Sequence, residues 1–554
     1  MDLNIRIAGQ AGQGVETTGS LLTDAFAGLG LHVFATQTYM SRIRGGLNWF
    51  DVRIADHELF SGREKADLLV ALTSEAVELL QPNVQDDGLI LFNGSDRPGL
   101  VCIEFAKVAK ELTGSAVMAN AVAAGALFWM LGYGAQELDT HLERAFQRKG
   151  AEVVAGNIKC AQRGAELAAG HARSIAAPRG VGAPDYVVGG NEAIGLAAAT
   201  AGVKFVTAYP MTPSTGVFTY LANAADEYGI VVEQAEDEIA AINMVCGATY
   251  AGVPAMTTTS GGGFALMVEG VALAGMLELP AFIMVGQRPG PATGLPTRTA
   301  QQDLKFAINA GHGEFPKAVF APGTAQQAYH ITRRALETAH KFQTPAIMLT
   351  DQFLADMQKN MPSLDRTLRP IDRQVLQDPP EDYLRYAVTP DGVSPRALPG
   401  SGAFVVLDSD EHTEDGHISD DLRARVRMQD KRMLKFEGMV AEALAPEWYG
   451  PEQADHLLVA WGSTYGPCRE AVDTLTAGGR SAAMLHFSQV WPMNAATVTP
   501  LLARGKRVIS VEGNSTGQFA SILRERGVLS GCELMLKYDG MPFTGEEVAR
   551  RVIS

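Results

Sequence analysis

Along much of the chain, short stretches that are apolar at nearly every position alternate with longer stretches of helical period. Between 185 and 358 the short ones read KFVTAYP, GIVVEQ, PAMTTTS, PAFIMVG and PAIMLTD, each ahead of a helical pattern. A strand apolar on both faces has no solvent side. It belongs in a parallel sheet covered by helices above and below. The same alternation opens the chain, with a strand over Asn4–Ala8, then GQAGQGVETTG and a helix, then ADLLVAL at 66–72 and GLILFNG at 88–94. It returns near His456 with LLVAWGS, SAAMLHF and RVISVEG. Ahead of that third run, FVVLDS predicts a strand and residues 419–445 a helix.

The period breaks twice. His171–Pro184 is rich in Ala, Gly, Pro and basic residues and reads as a linker. Met361–Gly400 turns to Pro, Asp and Arg and reads as a connector that wraps the surface. The expected architecture is α/β, with three parallel-sheet domains. The expected boundaries are 1–172, a linker at 173–184, 185–360, a connector at 361–400, and 401–554. The length of 554 residues accommodates that number of domains.

Composition narrows the chemistry. Lys and Arg total 46 against 62 Asp and Glu, a net charge of −16 that repels phosphate backbones and argues against a nucleic-acid partner. Cys102, Cys160, Cys246, Cys468 and Cys532 are scattered, with no C-x-x-C pair, so no metal site is expected from cysteine motifs. Sparse, unpaired cysteines suit the reducing cytoplasm, and MDLNIRIAGQ has no signal-peptide pattern. The longest apolar stretch, 270–286, contains Glu278 and Pro280. It predicts a buried helix followed by a strand, not a membrane span.

Several motifs sit at predicted strand ends. In Tyr209-Pro210-Met211-Thr212-Pro213-Ser214-Thr215, Thr212 reads as a helix N-cap with Pro213 at the first helical position. A helix start there also offers N–H groups and a hydroxyl to a carboxylate ligand. Glu236-Asp237-Glu238 opens a helix whose remainder, IAAINMVCGATYAG, is almost wholly apolar and so is expected to be buried on all sides. Two of these acids serve the helix dipole. Glu238, next to the apolar run, is the acid expected to turn inward, where a carboxyl needs a partner or a task. TTTSGGG at 257–263 is a strand running into a glycine turn without the Gly-Lys-Ser/Thr of a nucleotide loop. Arg288 leaves the next strand through Pro-Gly-Pro, and a guanidinium there suits a carboxylate. The Gly9–Gly14 turn has G-x-x-G-x-G spacing and suits docking of a partner chain or a cofactor tail better than a dinucleotide. Asp408–His417 mixes acids and histidines in an order that fits neither a calcium loop nor a zinc site and reads as a solvated loop.

Taken in order, these motifs resemble the 2-oxoacid:ferredoxin oxidoreductases. YPMTPST is similar to that family's Y-P-[IM]-T-P-S signature, and TTTSGGGFALMVEG and QRPGPATGLPT to the two blocks after it. GQAGQGV with Arg44-Gly45-Gly46 resembles its gamma module. EHTEDGH, MQDKRMLKFE and Glu512–Gln518 resemble the 2-oxoglutarate branch, whose alpha subunit carries a fused N-terminal gamma module.

The resemblance implies a gamma module, a thiamine pyrimidine-binding domain and a transketolase C-terminal-like domain. It implies thiamine diphosphate shared with a beta subunit, which would hold Mg2+ and a [4Fe–4S] cluster. No Gly-Asp-Gly and no cysteine cluster occurs in this chain. It further implies coenzyme A as co-substrate, ferredoxin as acceptor, an (alpha-beta)2 assembly and a cytoplasmic location. Glu238 would activate the cofactor through the aminopyrimidine ring nitrogen, with Tyr209 and Pro210 beside the cofactor. Thr212 would adjoin the reacting carbonyl, and Arg288 and Thr297 would bind the substrate. Asp410 is a candidate coenzyme A contact. The expected reaction is oxidative decarboxylation of 2-oxoglutarate to succinyl-CoA. Pyruvate, branched-chain or aryl 2-oxoacids, a carboligase, and a non-catalytic scaffolding or coenzyme A-binding subunit are the alternatives.

Overall fold

The computed structural model describes residues 1–40, 46–171 and 175–554. The chain divides into two compact units. One comprises Met1–Gly189, Asp356–Ser363 and Thr544–Glu547; the other comprises Gly190–Ala355, Leu364–Phe543 and Val548–Ser554.

The first unit is built on an eight-stranded mixed sheet. Asp2–Gln10, Ala66–Ala71, Val84–Asn93 and Val101–Ile103 run parallel. On the other side of Asp2–Gln10, Leu47–Ala55 and His32–Thr38 pair antiparallel. Two short strands complete that edge, Gln358–Asn360 against His32–Thr38 and Val187–Gly189 outermost. Asn360 locks the join. Its Oδ1 accepts from the Val33 N–H (2.9 Å) and its Nδ2 donates to the Leu31 carbonyl (2.7 Å). The core includes the Val15–Gly28 and Ala119–Met130 helices, where Phe26 stacks on Phe128 at 5.0 Å.

The second unit holds a seven-stranded and a five-stranded sheet. The five apolar runs of its first half become Phe205–Ala208, Val231–Gln234, Ala255–Ser260, Phe282–Gln287 and Ala346–Asp351. All are parallel, together with Ala318–Phe320. The five-stranded sheet contains the three later runs as Ala454–Trp461, Ala482–Phe487 and Gly505–Glu512, also parallel. One apolar core is shared, from Ile283, Val285 and Ile347 to Leu457, Val459 and Trp461. The three α/β sheets of the sequence reading are present.

Three local expectations change. FVVLDS forms no strand, and Phe404 is 82% exposed. Strand propensity is realised only where a neighbouring strand can pair. The connector does more than wrap the surface, since Arg385, Tyr386 and Arg396 are buried. The helix after the YPMTPST motif spans Thr215–Asn223, with Ser214 rather than Thr212 at its N-cap. Its first turn is preceded by a tight turn in which the Thr215 N–H (3.2 Å) and the Ser214 hydroxyl (2.8 Å) both donate to the Met211 carbonyl.

The connector, the acidic loop and the Leu422–Ala441 helix are joined by charge. Glu278 receives Lys431 Nζ at 2.6 Å and an ion pair from Lys435, with all three side chains almost fully buried. Arg385 donates to the Glu278 carbonyl (2.9 Å) and to Gln343 Oε1 (3.0 Å). Burial pushes the Glu278 carboxyl up, but Lys435, Lys431 and Arg385 together hold it well below the usual carboxylate range. Burial lowers Lys435 to about 7 against the pull of Glu278. In the acidic loop, Glu411 takes both ends of the Arg432 guanidinium at 3.0 and 2.7 Å, and His412 lies buried with its ring 4.0 Å from that of Tyr386. That part of the loop is a structural clamp rather than a solvated turn.

Candidate functional site

In the seven-stranded sheet the chain runs from Phe205–Ala208 outward to Val231–Gln234, then crosses back to Ala255–Ser260 on the far side of the first strand. This reversal is a topological switch point. Loops leaving the carboxyl ends of the two adjoining strands diverge there and open a crevice, the usual place for a ligand in such sheets. The motif residues leave this same edge: Tyr209–Thr212 after the first strand, Glu238 after the second, Gly261–Gly263 after the third and Arg288 after the fourth.

Hydrogen bonds tie these loops together. Arg288 Nη1 donates to the Thr212 carbonyl at 2.8 Å, joining residues 76 apart. The Met211 thioether accepts from the Ser260 and Thr259 hydroxyls at 3.5 and 3.8 Å. Arg288 exits into a closed loop, with Leu295 N–H on the Pro289 carbonyl (3.0 Å) and Gly290 N–H on Gln302 Oε1 (3.0 Å). Thr297 lies on that loop, half-buried. Tyr209 is exposed and Pro210 half-buried at the mouth of the crevice. Burial lowers the Arg288 pKa, and Asp303 raises it in part.

The three acids at the second strand end separate cleanly. Glu236 is exposed. Asp237 is the N-cap of the Glu238–Tyr250 helix, its Oδ1 accepting from the Ala240 N–H at 2.7 Å. Glu238, the first helical residue, is 5% exposed. Its carboxyl packs on Gly263, where a Cβ would overlap both Glu238 Oε1 and Thr259 Oγ1. Among the described residues Glu238 has no hydrogen-bond partner. The residue is buried, yet its carboxyl oxygens are not sealed from solvent, so the carboxyl presents an open edge where a ligand can act as its hydrogen-bond partner. An aminopyrimidine ring nitrogen is such a partner, so these residues fit thiamine diphosphate.

The helix that carries Glu238 departs from expectation. It is apolar all round but not buried all round. Ile239 and Met244 are 49% and 39% exposed, and Leu266 on the neighbouring Gly261–Met276 helix is 52% exposed. Among the described residues its apolar outer face is left uncovered.

Two acids at this edge escaped the sequence reading. Asp351 ends the Ala346–Asp351 strand, accepts from Ser463, and is pushed up to about 6 by burial. Asp303 precedes the Leu304–Asn309 helix and reads locally as a cap. Its signal lies only in tertiary neighbours, Gly261 and Arg288. In the first unit, the Gln10–Gly14 turn folds on itself, with the Gln10 N–H on Gln13 Oε1 (2.8 Å), and Asn120 Nδ2 donates to the Gln13 carbonyl (3.1 Å). Arg44 and Gly45 lie outside the described residues. Asp410 is exposed, with its N–H on Asp408 Oδ1 (2.9 Å). Among the described residues no cluster of His, Cys, Asp and Glu is placed to hold a metal ion, and no helix is long and apolar enough to cross a membrane.

Comparison with known proteins finds matches along the whole chain. The profile "Pyruvate ferredoxin/flavodoxin oxidoreductase" matches residues 4–167. The profile "Pyruvate flavodoxin/ferredoxin oxidoreductase, thiamine diP-bdg" matches 196–431, and "Transketolase, C-terminal domain" matches 450–529. A "2-oxoacid:ferredoxin oxidoreductase subunit alpha" from Sulfolobus sp is 31% identical, over 100% of this chain and 97% of its own. The "2-oxoglutarate oxidoreductase subunit KorA" of Mycobacterium tuberculosis is 28% identical, over 99% and 90%. A solved structure, described as 2-oxoglutarate:ferredoxin oxidoreductase from Magnetococcus marinus with 2-oxoglutarate, coenzyme A and succinyl-CoA bound, superimposes with a TM-score of 0.93. It is 33% identical and covers 100% of this chain and 99% of its own.

Proposed function

The chain belongs to the 2-oxoacid:ferredoxin oxidoreductases, and from that membership we propose that it presents the activating carboxyl, Glu238, in an enzyme that oxidatively decarboxylates 2-oxoglutarate. It is a subunit of a thiamine-diphosphate-dependent oxidoreductase. The observation that carries the proposal is the buried, unpartnered Glu238 carboxyl against Gly263 at the switch point. The choice of acid draws on the Mycobacterium and Magnetococcus relatives, whose names carry 2-oxoglutarate. The products are succinyl-CoA, carbon dioxide and reduced ferredoxin.

Thiamine diphosphate, when bound, supplies the nucleophilic carbon and the electron sink. The protein supplies binding, orientation and proton control. With the cofactor bound, the Glu238 carboxyl would share a proton with the aminopyrimidine ring nitrogen. Tyr209 and Pro210 would flank the cofactor. Thr212 sits beside the reacting carbonyl, and its own backbone carbonyl aims Arg288. Arg288 would bind a substrate carboxylate through the guanidinium nitrogens not given to Thr212, with Thr297 on the loop that follows as a further substrate contact.

A beta subunit supplies what the chain lacks. The family resemblance assigns Mg2+ and [4Fe–4S] to that partner, and the lack of Gly-Asp-Gly and of a cysteine cluster in this sequence fits the assignment. The apolar outer face with Ile239, Met244 and Leu266 is the surface we assign to subunit contact. Coenzyme A and ferredoxin complete the reaction, and an (alpha-beta)2 assembly is the expected form.

The test is purification of the tagged chain from its native cell. A smaller, cysteine-rich chain carrying Gly-Asp-Gly and a brown chromophore should co-purify, and the complex should reduce ferredoxin with 2-oxoglutarate and coenzyme A. A colourless homo-oligomer that turns over alone would overturn the reading. Gly263→Ala probes the same carboxyl. A methyl group there displaces Glu238, so turnover of the assembled enzyme should fall by about 10- to 100-fold while the fold persists.

A further inference from the structure

The Asp303 carboxyl lies at the same sheet edge, and the chemistry above gives it no task. Its placement is fixed through the backbone. The Asp303 N–H donates to Gln287 Oε1 (3.0 Å), and Gln287 Nε2 donates to the Thr350 carbonyl (3.2 Å). Residue 303 is therefore stitched to the ends of two adjacent parallel strands. Both carboxylate oxygens press on the first residue of the Gly261–Met276 helix, since a Cβ at Gly261 would stand 2.7 Å from each. Only a glycine at 261 leaves room for this carboxyl.

The charged surroundings are simple. Arg288 directly follows Gln287, the residue whose side chain holds the Asp303 N–H, and is the charged group whose field reaches the Asp303 carboxyl. Among the described residues the two form no direct ion pair, and Arg288 Nη1 is held by the Thr212 carbonyl. On the helix that follows Asp303, Lys305 is engaged elsewhere, with its Nζ on Ser521 Oγ (2.8 Å) and Glu525 Oε1 (2.7 Å). The glycine helix offers only backbone at Gly261. Asp303 thus acts on Arg288 through space, without orienting it.

We propose that Asp303 is a specificity-determining residue, whose charge sets the potential in which Arg288 binds the 2-oxoacid and which penalises substrates by their total negative charge. The inference rests on the assignment of Arg288 as the substrate ligand. Burial pushes the Asp303 carboxyl up to about 6, with Arg288 pulling the other way. Above that value the ionised carboxylate competes with substrate for the guanidinium field. Below it the carboxyl is neutral and the competition ends. Affinity for a 2-oxoacid therefore rises as pH falls through about 6, and rises more for a dicarboxylate than for a monocarboxylate.

The test uses the assembled enzyme with 2-oxoglutarate and 2-oxobutyrate as probes, at pH values either side of 6. Wild-type KM for 2-oxoglutarate should fall on the order of fivefold from the alkaline to the acid side, and KM for 2-oxobutyrate by less. Asp303→Asn, and separately Asp303→Ser, should reproduce the acid-side KM at neutral pH and flatten its pH profile, with kcat within about twofold. A merely structural role would lower kcat and Tm in both variants and leave the ratio of the two KM values untouched, which would overturn the proposal. If the wild-type complex oxidises neither acid, the Arg288 assignment and this inference fall together. If it oxidises them and both variants keep the wild-type KM ratio and pH profile, only the role of Asp303 falls.

Discussion

Glu238→Gln in the assembled enzyme should lower turnover by about 10²- to 10⁴-fold, the range that one positioned proton-transfer group contributes. The amide has the shape of the carboxyl, so the packing against Gly263 survives. It cannot hold and return a proton. The helix start also survives, because its cap is the neighbouring Asp237, bonded to the Ala240 N–H. Stability should therefore stay at or above that of the wild type, since a buried ionisable group is replaced by a neutral one. Ferredoxin reduction and thermal unfolding, measured on the same preparation, separate the two effects. Turnover within threefold of wild type would remove Glu238 from the chemistry and favour a scaffolding role for the chain.

The second large effect concerns folding. Glu278→Gln should destabilise the second unit by about 3–5 kcal/mol, the cost of leaving buried charge unmatched. In the wild type one carboxylate serves Lys431 and Lys435, with the Arg385 guanidinium on the Glu278 backbone carbonyl. Without it two ammonium groups face each other in a site that excludes water. Glu278 also has φ of 50°, a left-handed conformation costly for a side chain this size and sustained by that cluster. The pH dependence has a definite sign. The folded-state pKa of Glu278 is depressed, so its contribution is present above its ordinary value near 4.5 and is lost as pH falls through the depressed one. Lys435 is depressed to about 7 from 10.5, so the folded state binds fewer protons than the unfolded one in that window and stability rises with pH across it. Denaturant unfolding at several pH values reads both. A loss below 1 kcal/mol would show that the helix is held by packing alone.

The sheets were legible because a strand buried on both faces must be apolar throughout, and the runs from KFVTAYP to RVISVEG are. Arg288 and Thr212 were legible as strand-end residues, since that position alone points to a crevice. Their hydrogen bond was not, because a pairing across 76 residues leaves no local trace. The same holds for Glu278, whose partners lie 107 to 157 residues away in segments that read as connector and polar helix. The helix start at Thr215 was misplaced because Thr-Pro imitates a cap, while the turn closed on the Met211 carbonyl comes first. Asp303 imitates an ordinary cap, and only the glycine beneath it shows otherwise.

The strands Val187–Gly189 and Gln358–Asn360 bear on how this protein is made. Gln358 pairs with Ala35 and Lys359 with both Phe34 and Val188. During synthesis the edge strand His32–Thr38 leaves the ribosome some three hundred residues ahead of its hydrogen-bonding neighbour. At 5–20 residues per second that is a wait of roughly 15 to 65 s with one row of peptide groups unclaimed. An open edge of that kind is a template for pairing with other nascent chains. Spacing between ribosomes on the message, and any chaperone that covers an extended backbone, would then decide the yield of active protein before its chemistry does.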